Sequence, residues 1–198
     1  SAYDRAIGLK PTMAEAHLNR ANILLDSGEF EQARAAAERA ATLQPNNAPA
    51  YVTLGRALLS LRRSPDALNS FTEAARLNPA GTDAQIGAAR ALLNVGRAPE
   101  ALARLDQALA RAPGNAEAHT YRAYALLDLR RYDDALQAAD SAMALSNGAA
   151  RRCRADVLHQ LGRKEEAVAE YERALRAGQD IGFSRGYYLG DKLEFCDW

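Results

Sequence analysis

Residues 50–61 read AYVTLGRALLSL, and residues 64–79 read SPDALNSFTEAARLNP. In the first segment, large apolar residues recur at helical spacing, at Tyr51, Leu54, Leu58 and Leu61. The second segment has an apolar stripe of its own, and we expect Ser64 to cap it, with Pro65 in its first turn. Pro79 disfavours helix in the residue before it. Together the two segments predict two successive helices.

The same pattern returns every 34 residues along the chain, as shown by Pro11, Pro45, Pro79 and Pro113 and by Ala33, Ala67, Ala101 and Ala135. A fixed period of this length indicates one helix pair that is repeated, each pair burying its apolar face against the next. The predicted fold is all-α, an α-solenoid of antiparallel helix pairs. The predicted pairs are 14–27/31–43, 48–61/65–77, 82–95/99–111, 116–129/133–145 and 149–161/165–177.

Residues at the predicted helix ends support these boundaries. Residues 12–15, Thr-Met-Ala-Glu, have the pattern of a capping box at the start of the first pair. Gly28, Gly96 and Gly162 stand between paired helices, where a left-handed residue closes the first one. The repeat therefore has recognisable start and stop signals as well as a period.

Composition excludes several classes of function. The chain has 198 residues, 48% of them hydrophobic, and its 25 basic and 25 acidic residues cancel. With no net charge, the chain has no overall electrostatic field that would attract nucleic acid or an anionic membrane. No apolar run approaches the roughly 18 residues of a spanning helix, and the first residues lack the pattern of a signal peptide. Cys153 and Cys196 fit no metal or redox spacing, so we expect no cofactor and a reducing, cytoplasmic setting.

The residues resemble those of the tetratricopeptide repeat (TPR) family across the whole chain. The second repeat carries the family pattern at Tyr51, Leu54, Gly55, Leu58, Ala67, Phe71, Ala74 and Pro79. The resemblance implies one right-handed superhelical array, with repeats at 12–45, 46–79, 80–113, 114–147 and 148–180. Residues 1–11 would be the second helix of a partial repeat and residues 181–198 the first helix of another. It also implies a scaffold for protein–protein interactions.

In TPR proteins the first helices line a concave groove that holds an extended peptide or a partner protein. Transferred to this chain, the groove side chains are Asn22, Arg56, Arg90, Asn94, Tyr124, Asp128, Arg152 and Asp156. Arginines suit a carboxylate or the backbone carbonyls of an extended peptide, and we expect Arg56 and Arg90 to act together. A stripe of leucines at the neighbouring position is either shielded between helices or in contact with the ligand: Leu25, Leu59, Leu93 and Leu127.

Two more specific functions are disfavoured by the sequence. The clamp by which some TPR proteins capture the acidic C-termini of chaperones is mostly absent, since Leu18 and Thr53 replace residues of its pattern. Catalysis is disfavoured because the three histidines are scattered. We expect His17 and His119 to pack between helices and His159 to be solvated or to lie in the groove.

The end of the chain gives further predictions. Residues 183–196 should form a helix packed on helix 165–177, with Leu189, Leu193 and Cys196 inward and Gly190 at the close crossing. The apolar surface left open there, together with residues 1–10, would allow end-to-end self-association. The junction at residues 144–148 lacks the proline of the other junctions, so the fifth repeat should be tilted.

Residues 193–198, Leu-Glu-Phe-Cys-Asp-Trp, are similar to a run that precedes the catalytic domain of bacterial O-GlcNAc transferase-like proteins. This similarity implies an alternative function, in which the array is the substrate-recruiting arm of a glycosyltransferase. A structural or oligomerisation module is the third possibility.

Overall fold

The computed structural model describes residues 12–146 and 150–194, and these residues form helices joined by short turns. No strand occurs within these two ranges, so the predicted all-α class is confirmed. The helices are α1 Ala14–Asp26, α2 Phe30–Leu43, α3 Ala48–Ser60, α4 Ser64–Leu77, α5 Thr82–Asn94, α6 Ala98–Arg111, α7 Ala116–Asp128, α8 Tyr132–Ser146, α9 Arg151–Gln160, α10 Lys164–Arg176 and α11 Arg185–Glu194.

The five predicted helix pairs are confirmed, with ends that differ from the prediction by one or two residues. The turn glycines Gly28, Gly96 and Gly162 have φ angles of 78°, 74° and 75°, as expected for left-handed closing residues. Arg62 and Arg130 adopt the same conformation at the corresponding turns, with φ angles of 59° and 57°. Residue type does not predict this conformation for arginine, because a side chain at positive φ costs roughly 1–2 kcal/mol.

Both predicted side-chain caps are wrong. The N-cap residue of α1 is Met13, and no side chain donates or accepts a capping hydrogen bond there. Ser64 is the first helical residue of α4 instead of its cap. Its hydroxyl accepts a hydrogen bond from Nδ2 of Asn94, at 3.1 Å, so it joins α4 to α5. Asparagine does cap elsewhere, since Asn47 Oδ1 accepts from the backbone N–H of Ala50 at 3.2 Å.

The chain folds into two compact units, residues 1–97 and 98–198. In the first unit, α1 to α5 pack in chain order, each helix against the next. The ring of Phe71 on α4 is almost fully buried and lies against Gly55 on α3 and Gly87 on α5. Small residues therefore allow close helix crossings in this unit.

In the second unit, α7, α8, α9 and α10 also pack consecutively, and α11 packs on α10. The largest buried side chains include Leu126 on α7, Val157 and Leu158 on α9, and Tyr171 on α10. Fully buried alanines occur at equivalent positions of the repeats in both units: Ala21, Ala33, Ala67, Ala89, Ala101, Ala123, Ala135, Ala155 and Ala167.

The end of the chain departs from the prediction. Residues Gly182–Ser184 form a 3-10 turn, and α11 starts only at Arg185. Leu189 and Leu193 are 50% and 57% exposed, and a Cβ added to Gly190 would meet nothing within 4 Å. The predicted inward face of this helix is therefore wrong. Asp191, which is 2% exposed, lies on the inward side instead.

Polar contacts explain this orientation of α11. Oδ2 of Asp191 lies 2.6 Å from Nδ1 of His159 on α9, and the His159 ring stacks on Tyr187 with centroids 4.3 Å apart. Ion pairs join Lys192 to Glu172 at 2.9 Å and Lys164 to Glu194 at 2.7 Å. The buried carboxylate and its histidine determine the docked face more strongly than the leucines do.

Three predictions fall wholly or partly outside the described residues. They are the helix at 1–11, the tilt at junction 144–148 because of residues 147 and 148, and the inward position of Cys196.

Candidate functional site

In the first unit, the predicted groove residues Asn22 and Arg56 line a cavity of about 260 Å³. Asn22 lies on α1, and its Oδ1 accepts a hydrogen bond from Oγ1 of Thr53 on α3 at 3.0 Å. Arg56, one turn after Thr53, is exposed at the cavity. With its carbonyl oxygen engaged, the Asn22 amide retains its N–H donors for another acceptor.

The other two predicted residues of this unit lie on α5. Arg90 and Asn94 are both exposed, and Asn94 donates to Ser64 as described above. The cavity reaches α5 only through its first turn, at Asp83 and Ala84 among the described lining residues. The leucine stripe is shielded at Leu59, which is 6% exposed.

The second unit brings the remaining four predicted residues together. Tyr124 and Asp128 lie on α7, and Arg152 and Asp156 lie on α9. Nε of Arg152 donates to the Tyr124 hydroxyl at 3.0 Å, and the guanidinium carbon lies 5.5 Å from the centroid of the Tyr124 ring. Burial raises the pKa of Tyr124, so its hydroxyl stays protonated and can both accept and donate.

Two cavities meet at Tyr124. The first, about 620 Å³, is lined by Ala116, Glu117, Thr120, Tyr121, Tyr124, Arg152, Cys153, Gln179 and Asp180. The second, about 550 Å³, is lined by Tyr124, Leu127, Asp128, Arg130, Tyr132, Asp156, Gln160, Ser184 and Tyr187. Tyr124 contributes to both linings, which otherwise come mainly from the first helices of the fourth and fifth repeats and from residues 179–187.

Asp156 is a buried carboxylate in this lining. Its Oδ1 accepts a hydrogen bond from the Tyr171 hydroxyl at 2.7 Å. Burial raises the pKa of Asp156, and hydrogen bonds from Ser184 and Tyr171 oppose that shift. Burial alone also raises the pKa of Asp128. Asp156 is therefore poorly hydrated, whereas Asp128 is exposed and only partly desolvated.

The arginines of α9 differ in their partners. Arg151 and Arg154 both reach Glu170 on α10, with N–O distances of 3.4 and 3.3 Å, and Arg154 also pairs with Asp140 at 2.6 Å. Arg152 points to the other side of the helix. Within residues 12–146 and 150–194, no carboxylate oxygen lies within 4 Å of its guanidinium nitrogens.

The histidines and cysteine of the described residues have structural surroundings. His17 is buried, as expected for a packing residue. Nε2 of His119 lies 2.9 Å from the carbonyl oxygen of Pro113. His159 is partly exposed, and Asp191 and Tyr187 hold its ring against α11. Burial raises the pKa of the Cys153 thiol, which disfavours the reactive thiolate.

Sequence reasoning missed part of the lining. Asp180, Ser184 and Tyr187 come from the segment after α10, where the repeat pattern predicts the end of the fifth repeat at residue 180 and a further first helix from residue 181. Glu117 and Tyr121 could have been found from their spacing on α7. Tyr121 lies three residues before Tyr124, and Glu117 lies four residues before Tyr121, so the three side chains share one face of the helix. The contribution of the end segment depends on long-range packing and has no local signal.

In the part of the chain that the structure describes, no helix combines the length and apolarity needed to cross a membrane. Over those same residues, no three histidine, cysteine, aspartate or glutamate side chains come together as metal ligands.

Known structures share this architecture. The chain is 24% identical to TTC0263, a thermophilic TPR protein of Thermus thermophilus, covering 91% of this chain and 99% of that one, with a TM-score of 0.79. It is 22% identical to YrrB, a TPR protein with an unusual peptide-binding site, over 98% of both chains at a TM-score of 0.67. It is 15% identical to a chain in the structure of the APC/C hetero-tetramer Cut9–Hcn1. That match covers 98% of this chain and 40% of the other chain, with a TM-score of 0.86.

No curated protein sequence matches the chain. Family models described as tetratricopeptide repeat match residues 14–47, 52–97, 86–150 and 141–180. Together these matches cover most of the chain. The chain therefore belongs to the tetratricopeptide repeat family.

Proposed function

We propose that this protein is an interaction scaffold that binds an extended segment of a partner protein along the first helices of its repeats. The TPR fold supports a scaffold role. The observation that carries the finer proposal is the meeting of two cavities at Tyr124, where four residues expected to contact a ligand converge. YrrB, which has a similar fold, is described as having an unusual peptide-binding site.

An extended segment suits the chemistry of this surface. A peptide chain presents carbonyl oxygens and N–H groups that need partners when they lose water. The Asn22 amide and the Arg56 guanidinium supply donors at the first-unit cavity, and the Tyr124 hydroxyl supplies a donor in the second unit. The cavities on either side of Tyr124 provide room for side chains of such a segment. We include Arg90 as a further donor on α5.

We propose binding and not catalysis at this surface. Asp191 occupies Nδ1 of His159, which stands next to the lining residue Gln160. Nε2 of His119, next to the lining residue Thr120, lies 2.9 Å from the Pro113 carbonyl oxygen. The buried Cys153 thiol has a raised pKa and donates toward the Thr120 carbonyl oxygen at 3.8 Å. None of these groups is arranged as the nucleophile and base pair that acyl or group transfer requires.

A library of random dodecapeptides tests the proposal. The intact chain should enrich a set of peptides, and Tyr124→Ala and the double variant Arg56→Ala/Arg90→Ala should each weaken binding to peptides from that set. Matched controls are Arg76→Ala on α4 and Arg176→Ala on α10, because both arginines are exposed on second helices. Thermal melting should be unchanged in the arginine variants. Equal binding by all variants would contradict the proposal.

We also propose self-association through α11, because Leu189 and Leu193 are exposed on one of its faces. Sedimentation of the intact chain at increasing concentration should reveal association, and Leu189→Ser/Leu193→Ser should reduce it. An unchanged monomer at all concentrations would contradict this idea.

Two interpretations drawn from the sequence stay predictions. The glycosyltransferase-arm function depends on residues 193–198, four of which lie outside the described residues. Cytoplasmic location depends on the two unclustered cysteines.

A further inference from the structure

We infer that the Tyr124–Arg152 pair is a receptor for one carboxylate of the bound segment, flanked in that segment by uncharged or basic residues. The carboxylate is either an aspartate or glutamate side chain or a C-terminal carboxylate. This inference rests on the proposed function, and it adds the chemistry that the site selects.

Arg152 differs from its neighbours in having no carboxylate oxygen within 4 Å of its guanidinium nitrogens among the described residues. It is half-buried, whereas Arg151 and Arg154 on α9 share the buried carboxylate of Glu170. A guanidinium that is partly removed from water and not directly paired with a carboxylate is costly unless a nearby charged or polar group compensates its charge. Within the same described ranges, the group that hydrogen-bonds Arg152 is the neutral Tyr124 hydroxyl. A ligand carboxylate would supply a directly paired counter-ion.

The guanidinium of Arg152 is also preorganised. Its Nε is held by Tyr124, and the group lies over the Tyr124 ring. The other end of the guanidinium, at Nη1, lies beside the 3-10 turn, since a Cβ built on Gly182 of that turn would be 3.7 Å from Nη1. Arg152 is thus held in one orientation before binding, which lowers the entropy cost of pairing with a ligand. Its remaining N–H donors suit the two oxygens of a carboxylate.

The rim around this arginine is acidic. Glu117 and Asp180 are exposed and line the same cavity as Arg152. Asp156 interacts with Arg152 electrostatically, but its Oδ1 is engaged by Tyr171. One positive centre beside several negative groups accepts a single carboxylate and repels a run of acids. Basic residues on either side of the ligand acid would meet Glu117 and Asp180.

Two random dodecapeptide libraries test the inference, one with free C-termini and one with amidated C-termini. We expect the intact chain to enrich peptides with one acidic residue or a free C-terminus, accompanied by lysine or arginine. Selected peptides are then resynthesised with that acid changed to Gln or Asn, and with the C-terminus amidated. The change that weakens binding by about tenfold or more identifies the source of the carboxylate.

The variants Arg152→Gln, Glu117→Gln and Arg176→Gln assign the effect to the site. Arg152→Gln should bind the acidic and the neutralised peptide equally weakly, Glu117→Gln should tolerate a second acid, and Arg176→Gln should match the parent. If Arg152→Gln melts early, Arg152→Lys replaces it and should retain part of the acid preference. Enriched peptides without any acid preference, or an acid preference that survives in Arg152→Gln, would overturn the inference and leave the proposed function standing. A chain that enriches no peptide would overturn both.

Discussion

Phe71 and Gly87 touch so closely that a Cβ on the glycine would lie 2.3 Å from the aromatic ring. The same ring covers Gly55, where a Cβ would lie 2.7 Å away. One aromatic residue of α4 therefore fills the space between α3 and α5 because both helices present a glycine to it. In the first unit, the packing of α3 and α5, the first helices of successive repeats, therefore depends on glycine at positions 55 and 87.

We predict that Gly87→Ala destabilises the protein by about 1–3 kcal/mol, because the added methyl group forces the buried Phe71 ring or α5 to move. Urea unfolding followed by circular dichroism measures the change. Gly190→Ala is the matched control, since it is also a helical glycine and its Cβ would meet nothing within 4 Å. That variant should be neutral or more stable, by up to about 1 kcal/mol. Equal effects of the two substitutions would contradict the packing explanation.

The Asp156 carboxyl predicts a pH dependence of stability. Burial raises the pKa of Asp156 above the ordinary value of 3.8, so the folded protein holds this proton more tightly than the unfolded chain. Its contribution to the free energy of unfolding is therefore fully present below pH 3.8 and is lost as the pH rises through the folded pKa.

The Asp156→Asn variant has no titratable group at this position. Its amide oxygen can still accept the hydrogen bond from the Tyr171 hydroxyl. The stability of the parent relative to this variant should fall as the pH is raised from about 3 to 8. Glu166→Gln is a control of opposite sign, because the hydrogen bond from Arg163 lowers the pKa of Glu166. A difference between parent and Asp156→Asn that is constant with pH would contradict the assignment.

We predict that His159→Ala releases α11 from the second unit. The substitution leaves the buried Asp191 carboxylate without its 2.6 Å partner and removes the ring that stacks on Tyr187. A buried acceptor that loses its partner costs about 1–3 kcal/mol. Amide hydrogen exchange should become faster in α11 and stay slow in α7. Leu189→Ala, at an exposed position of the same helix, should leave exchange unchanged.

The helix pairs could be predicted from the sequence because their determinants are local. Pro79 and Gly96 act on the backbone of adjacent residues, and the alanines that recur every 34 residues identify the crossings. The cap at Ser64 was mispredicted because its hydroxyl binds Asn94, 30 residues away. The face of α11 was mispredicted for the same reason, since Asp191 is buried through a contact with a residue 32 positions earlier.

The candidate site was predicted only in part. Position within the repeat placed Tyr124 and Arg152 on first helices, and the structure brings these two together. Position within the repeat did not indicate which arginine of α9 lacks an ion pair among the described residues, because that depends on Glu170 facing one side of α9. The contributions of Ser184 and Tyr187 also required the folded end segment.

Binding along the first helices can be mapped by backbone NMR of the second unit within the intact chain. A peptide enriched from the library is titrated into the labelled protein, and amide chemical shifts are followed. We expect the largest shifts in α7 and α9, around Tyr124 and Arg152, with small shifts in α8 and α10. Shifts concentrated in α8 and α10, with α7 and α9 unchanged at saturation, would show that the first helices are not the binding surface.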